Sequence, residues 1–313
     1  MKWLGLGGVA VLALVLSVAL GPTHVPLGAL ATSDIVRSIR LPRGVLAFLV
    51  GGALGVSGAA LQAIVRNPLA DPFLLGLSGG AGLGAVLAIA AHATGGWAVP
   101  IAALAGALLA MGLVYRIGLV GGAELDPRVL ILGGVAVGAF AGALTTAIVS
   151  LANAVELRNA MLWLWGGFGS ASWSSVWVVC AYLPLPLVAL FAAARPLDLL
   201  ALGEDPARYL GADVARVKRQ VYLAASLLTA VAVSVSGIIG FVGLIVPHAM
   251  RAVWGRTHRA LFPAAFLGGG VLVTLADTLA RTVVAPRELP VGIVTALIGV
   301  PAFALLMRQW TAR

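Results

Sequence analysis

Arg40 and Arg43 stand three residues apart around Pro42 in the string SIRLPR at 38–43, just ahead of a long apolar run. Two guanidiniums fixed that way can grip a carboxylate bidentately, or can simply anchor the end of an apolar segment at a water boundary. Asp277 and Arg281 are one helical turn apart, the spacing of a paired charge. In RNPLADP at 66–72, Asn67, Pro68 and Pro72 predict a rigid turn, because proline presets the backbone and removes donors. The stretch LDLLALGEDPARYLG at 197–211 reads as two short helices. Gly203 ends the first, Asp205 caps the second with Pro206 at its first position, and Gly211 ends it. Other chemistry is excluded. No GxxxxGK[ST] occurs, and the only lysines are Lys2 and Lys218, so no P-loop can hold a nucleotide. HExxH and GxSxG are missing, and the four histidines at 24, 92, 248 and 258 are dispersed. Cys180, the one cysteine, rules out a disulfide or a CxxC site and reads as a small hydrophobe. Neither catalysis by this chain nor a metal site is expected.

The elements that must position these residues are long and apolar. Of 313 residues, 61% are hydrophobic and 10% charged, with a mean hydropathy of +1.07. A soluble domain has about 25% charged residues, so the composition excludes a soluble enzyme, a disordered chain and a nucleic-acid binder. Runs near 3–20, 44–65, 73–91, 97–115, 129–152, 175–194, 221–239, 261–280 and 289–307 can each cross a bilayer. A shorter run at 240–254 contains Gly243 and Pro247 and makes a tenth if it crosses. NAMLWLWGGF at 159–168 fits an interfacial or re-entrant helix. With ten spans, fourteen of the 20 Lys and Arg fall on the side of the N-terminus, and this bias favours both termini in the cytoplasm. Nine spans would weaken it. The first run resembles a signal peptide in its basic start, but no small-residue cleavage site follows, so it reads as a retained helix.

Two polar stretches sharpen the reading. SGGAG at 78–82 follows the proline turn, and irregular backbone at that depth would line a cavity or gate. The 197–211 loop, with apolar faces too short to span, reads as a docking element for a partner inside the cell.

Six ordered blocks carry a resemblance covering about residues 37–310. They are RLPR at 40–43, SGAALQAIVRNPLADPFLLGLSGGAG at 57–82, LGEDPARYLG at 202–211, SGIIGFVGLIVPHAMR at 236–251, ADTLAR at 276–281 and ELPVGIVTALIGVPAF at 288–303. Together they resemble the FecCD/BtuC family, the membrane subunits of type II ABC importers for cobalamin, haem and ferric siderophores. The resemblance implies an all-α membrane protein with ten helices in one domain over 1–313, working as a homodimer in the bacterial inner membrane. It also implies two separate cytoplasmic ATPase subunits and a periplasmic binding protein. ATP and magnesium would belong to the ATPase, and this chain would bind no cofactor of its own.

On the residues, the resemblance implies binding-protein docking by Arg40, Arg43 and Arg281. It implies ATPase coupling, within a loop at about 197–219, by Leu202, Gly203, Glu204, Asp205, Ala207, Arg208 and Gly211. It places a translocation path and gate near Gln62, Asn67, Pro68, Ser78, Gly79 and Gly80. At the gate connection the chain reads ELDPR at 124–128, without the small hydroxylated residues of the cobalamin permease, so no gate residues carry over there. WLWGGFG at 163–169 looks closer to the cobalamin permease than to the siderophore permeases, which favours cobalamin, then haem, then a ferric siderophore. The competing reading, a secondary transporter driven by an ion gradient, would need a membrane-embedded carboxylate pair to relay ions, and Asp277 stands at a span end beside Arg281 instead.

Overall fold

A chain this apolar, placed where no water can satisfy its backbone, must close its hydrogen bonds within each segment, and helices do so. The computed structural model describes residues 1–311 apart from 24, 27, 29–31, 94 and 121–123, so His24 and Arg313 lie outside the described residues. The helices are α1 (Lys2–Ala19), α2 (Leu41–Val65), α3 (Leu77–Ala90), α4 (Ala98–Gly118), α5 (Pro127–Ser150), α6 (Ala154–Leu164), α7 (Trp173–Tyr182), α8 (Pro184–Ala192), α9 (Ala194–Leu200), α10 (Glu204–Tyr209), α11 (Val214–Ser236), α12 (Val242–Trp254), α13 (His258–Thr282) and α14 (Val291–Thr311). A π turn at Val36–Arg40 leads into α2. Two two-residue strands, β1 (Leu119–Val120) and β2 (Glu124–Leu125), pair antiparallel between α4 and α5.

Among the described residues, seven segments are long and apolar enough to cross a membrane, with α7 and α8 counting as one. The shorter apolar helices α3, α12 and α14 complete the ten expected. Local chemistry explains where the boundaries move. The third span starts at Leu77, not 73, because Asp71 accepts from Phe73 N and opens a 3₁₀ turn over Pro72–Leu75. The sixth breaks at Leu183, ahead of Pro184. α6 begins earlier than 159 because Asn153 and Glu156 form a complete capping box.

α2 is the central post. It meets α13 where Gly51 and Gly269 touch backbone to backbone, and α12 where Gly58 faces the Gly243 carbonyl. It meets α11 where Ser57 Oγ donates to Ala225 O at 2.8 Å and lies 2.6 Å from Thr229 Oγ1. α3 is held between α4, through Gly80 and Gly106, and α5, through Gly76 and Gly134. Small residues allow such close approach where helices gain no hydrophobic advantage over lipid.

The ends separate cleanly. Lys2 Nζ donates to Val253 O at 2.9 Å, which puts the start of α1 beside the end of α12. The end of α1, the start of α2 and the end of α13 gather at the opposite end, around Arg40, Arg43 and Arg281. The stretches 44–61, 77–90, 98–115, 129–150, 173–192, 220–236, 242–250, 260–276 and 291–307 hold no Asp, Glu, Lys or Arg. Charge is confined to the two ends.

Candidate functional site

At the end shared by the α1 N-terminus, ion pairs hold the short helix α10 to its neighbours. Gly203, at φ +119°, is the residue before α10 and turns the chain into it without a side-chain cap. Asp205 is therefore inside the helix, in its first turn, and not the cap expected from sequence. Gly211, at φ +85°, follows the helix, and its amide donates to Arg208 O at 2.9 Å. Glu204 accepts from Lys218 of α11 at 2.7 Å and from Arg66 at 3.4 Å. Lys218 also donates to Leu125 O at 3.3 Å. One turn after Glu204, Arg208 Nη2 donates to both carboxylate oxygens of Glu124 at 2.9 Å. Asp126 caps α5 by accepting from Arg128 N at 2.7 Å, with Pro127 at the first helical position.

These residues border a cavity of about 680 Å³ whose walls include Arg66, Glu124, Asp126, Arg128, Glu204 and Lys218. Ala207 is buried beneath α10, whereas Leu202, Tyr209 and Leu210 are exposed around it. The helix thus keeps apolar side chains exposed around it while its charged side grips the chain. Lys218, Glu124 and Arg66 were not singled out from sequence as site residues. The spacing of Glu204 and Arg208, one helical turn, was the available signal.

The residues assigned to the path divide. Asn67 is exposed and accepts from Leu69 N at 2.9 Å, and half-buried Pro68 follows it, so both belong to the rigid turn. Gln62 is buried and serves as a brace. Its amide nitrogen donates to Ala70 O, Gly243 O and Leu244 O, and its oxygen accepts from Arg251. Gly79 and Gly80 are taken up in contacts with α5 and α4, and Ser78 lies half-buried in the first turn of α3. SGGAG is helical throughout. Irregular backbone at depth lies elsewhere, at 237–241 between α11 and α12, bracketed by Gly237 at φ +66° and Phe241 at φ +68°. Gly167 N donates to Ser236 O at 2.7 Å, Val291 N to Gly166 O at 2.9 Å and Gly292 N to Trp165 O at 3.1 Å. An apolar cavity of about 570 Å³ opens there, lined by Leu164, Trp165, Ile238, Phe241, Ile293 and Leu297 among others.

Asp71, in the proline turn, is a titratable group worth testing. Desolvation pushes its carboxyl up to about 6, against the lowering effect of the Phe73 N–H bond. The folded state therefore favours the protonated form. That stabilisation is present below the unfolded value of about 3.9 and is lost as pH rises through about 6. Asp71→Asn keeps an acceptor for Phe73 and removes the charge. Its melting temperature in detergent should exceed that of the parent at pH 7.5, with the gap closing at pH 4. An equal gap at both values would count against this account.

At the opposite end the three arginines expected to face a docking protein are turned inward. Arg40, Arg43 and Arg281 are 3%, 7% and 2% exposed. Arg40 Nη1 donates to Val18 O and Ala19 O at 3.0 Å, and its other terminal nitrogen bonds Thr23 O, closing the carbonyl end of α1. Arg43 grips Asp277 at 2.9–3.1 Å and Glu288 at 3.0 Å. Arg281 pairs with Asp277 at 3.3 Å, as the four-residue spacing predicted, and reaches the Ser17 carbonyl and hydroxyl. The long apolar helices around Asp277 leave it only these partners to stay ionised. Burial of the arginines follows from that.

Comparison with known proteins agrees with the architecture. The chain is 40% identical over 317 residues to the ABC transporter permease protein YvrB of Bacillus subtilis, covering 94% of this chain and 89% of that protein. It is 46% identical over 279 residues to the cobalamin import system permease protein BtuC of Halobacterium salinarum, covering 89% and 74%. A solved structure of a metal-chelate type ABC transporter, in an inward-facing conformation, superposes with a TM-score of 0.88 at 30% identity over 97% of both chains. The helical arrangement is that of a type II ABC importer permease, a subunit whose family works with a separate ATPase chain and a substrate-binding protein. Residues 9–309 match the FecCD transport family, and with this helix order and these blocks the chain belongs to it.

Proposed function

We infer that this chain imports cobalamin as the membrane subunit of an ATP-driven transporter, without catalysing a reaction itself. Two copies pair along a common axis in the bacterial inner membrane, with both termini cytoplasmic. Two ATPase subunits sit against α10, and a binding protein delivers ligand at the end whose helix termini Arg40, Arg43 and Arg281 hold together from within. The observation that carries the transporter reading is α10, a six-residue helix ending on exposed Tyr209 and flanked by exposed Leu202 and Leu210, braced by charge against the connection into α5. Such an element converts displacement by a soluble partner into helix movement, and transport then follows from two packings of different stability. Gln62, Asn67, Pro68, Ser78, Gly79 and Gly80 act on the gate by holding α2, α3 and their turn in register.

Cobalamin is favoured over haem, and haem over a ferric siderophore, by the name of the Halobacterium salinarum relative and by WLWGGFG at 163–169. A wide apolar wall such as that around Trp165 and Phe241 suits a bulky chelate with few fixed contacts. An ion-gradient mechanism is disfavoured because Asp277, the carboxylate within a span, is already engaged by Arg43 and Arg281. The test is reconstitution in proteoliposomes with the cognate ATPase and binding protein, using labelled cobalamin, haem and a ferric hydroxamate. Cobalamin uptake should require both partners and ATP. Uptake without the ATPase would overturn the importer reading, and preference for haem would overturn the ligand.

A further inference from the structure

Glu204, Arg208, Lys218 and Glu124 differ in how firmly they can hold. The Lys218 side chain is 5% exposed and that of Glu204 23%, so their 2.7 Å contact is shielded. Removing Glu204 would strand the desolvated Lys218, which makes this contact costly to break. Lys218 also fixes the carbonyl of Leu125, so α10, β2 and α11 share one pin. The Arg208 and Glu124 side chains are 45% and 49% exposed, and a pair open to water is weak, salt-screened and able to part and re-form. Glu124 lies two residues before Asp126, the cap of α5, and the Asp126 amide is tied to Gly118 O at 3.0 Å. Little slack separates Glu124 from the first turn of α5. Arg208 is one turn along α10 from the pinned Glu204, and its other carboxylate neighbours, Asp205 at 3.7 Å and Glu204 at 4.0 Å, belong to α10 itself, so Glu124 is its contact outside the helix.

We propose that the Arg208–Glu124 ion pair is the releasable contact through which movement of α10 reaches the start of α5, with Lys218 as the fixed pin beside it. This rests on the importer reading above. In that reading, Arg208 and Glu124 are positioning residues, and ELDPR at 124–128 replaces a hydroxyl-lined gate with an electrostatic latch. The pair breaks when α10 is displaced and re-forms when it returns, so α5 responds in two discrete positions.

The experiment compares Arg208→Glu, Glu124→Arg and the double charge exchange, each in the full chain. Hydrogen exchange of the 124–128 amides is read in nanodiscs, and transport per ATP hydrolysed is read in the complete reconstituted complex. Each single reversal should speed exchange and lower transport per ATP by about threefold to tenfold, and the double exchange should recover part of both, since a carboxylate at 208 still meets Asp205 and Glu204. Exchange unaltered by Arg208→Glu would overturn the latch, as would transport per ATP unaltered in the single variants. If a variant fails to fold, the parent protein decides. Exchange at 124–128 should rise between 50 mM and 500 mM NaCl, and no rise overturns the proposal. Ligand uptake by the parent without its ATPase would instead overturn the importer reading, and the exchange data would still report on the contact.

Discussion

Asp277→Ala should lower the melting temperature in detergent more than other single substitutions at the end that holds Arg40, Arg43 and Arg281, by about 10 °C at a fixed scan rate. The loss comes from what stays behind. Arg43 would keep only Glu288, whose side chain is 40% exposed, and Arg281 would keep only the hydroxyls and carbonyl around Ser17. Stranding buried charges of this kind costs about 3–5 kcal/mol, whereas replacing a whole buried cluster with apolar groups is often neutral. Asp277→Ala combined with Arg43→Met and Arg281→Met should therefore melt higher than Asp277→Ala alone. If the triple variant is no more stable than the single one, the cluster is not a balance of charges.

The second large effect is expected at the crossing of α2 and α13. A methyl group on Gly51 would fall 2.2 Å from the Gly269 carbonyl oxygen, and one on Gly269 would fall 2.1 Å from the Gly51 carbonyl oxygen. No side chain can give way there, because the obstacle is backbone on both sides. Gly51→Val should force the helices apart and cost about 3 kcal/mol or more, seen as loss of the monodisperse peak in size-exclusion chromatography. Gly5→Ala, where nothing lies within 4 Å, serves as the control and should leave the elution profile unchanged. A well-folded Gly51→Val protein would show that α2 and α13 do not cross this closely.

Features set by neighbours in sequence were legible, and those set by distant partners were not. The spacing of Asp277 and Arg281 foretold their pairing, and Gly211 and the brevity of α12 were visible from glycine and length alone. The direction in which Arg43 points was not. A guanidinium beside Pro42 can face water or protein equally well, and the choice depends on Asp277, 234 positions later. The same holds for Gln62, whose three carbonyl partners come from 70, 243 and 244. SGGAG was misread for a related reason. Glycine marks both unwound backbone and close helix contact, and only the presence of Gly106 and Gly138 opposite decides for contact. The unwound segment at 237–241 had the same ambiguity with the opposite outcome.

The confinement of charge to the two ends has an electrical consequence. Carrying one elementary charge through a potential of 100 mV is worth about 2.3 kcal/mol, enough to bias a conformational equilibrium some fiftyfold. The spanning helices carry no ionised group through their middle stretches. A change in their packing therefore shifts almost no charge along the field. The cycle of the protein itself should be electrically silent, as fast in an energised membrane as in a collapsed one. Any voltage dependence of uptake would have to come from the cargo.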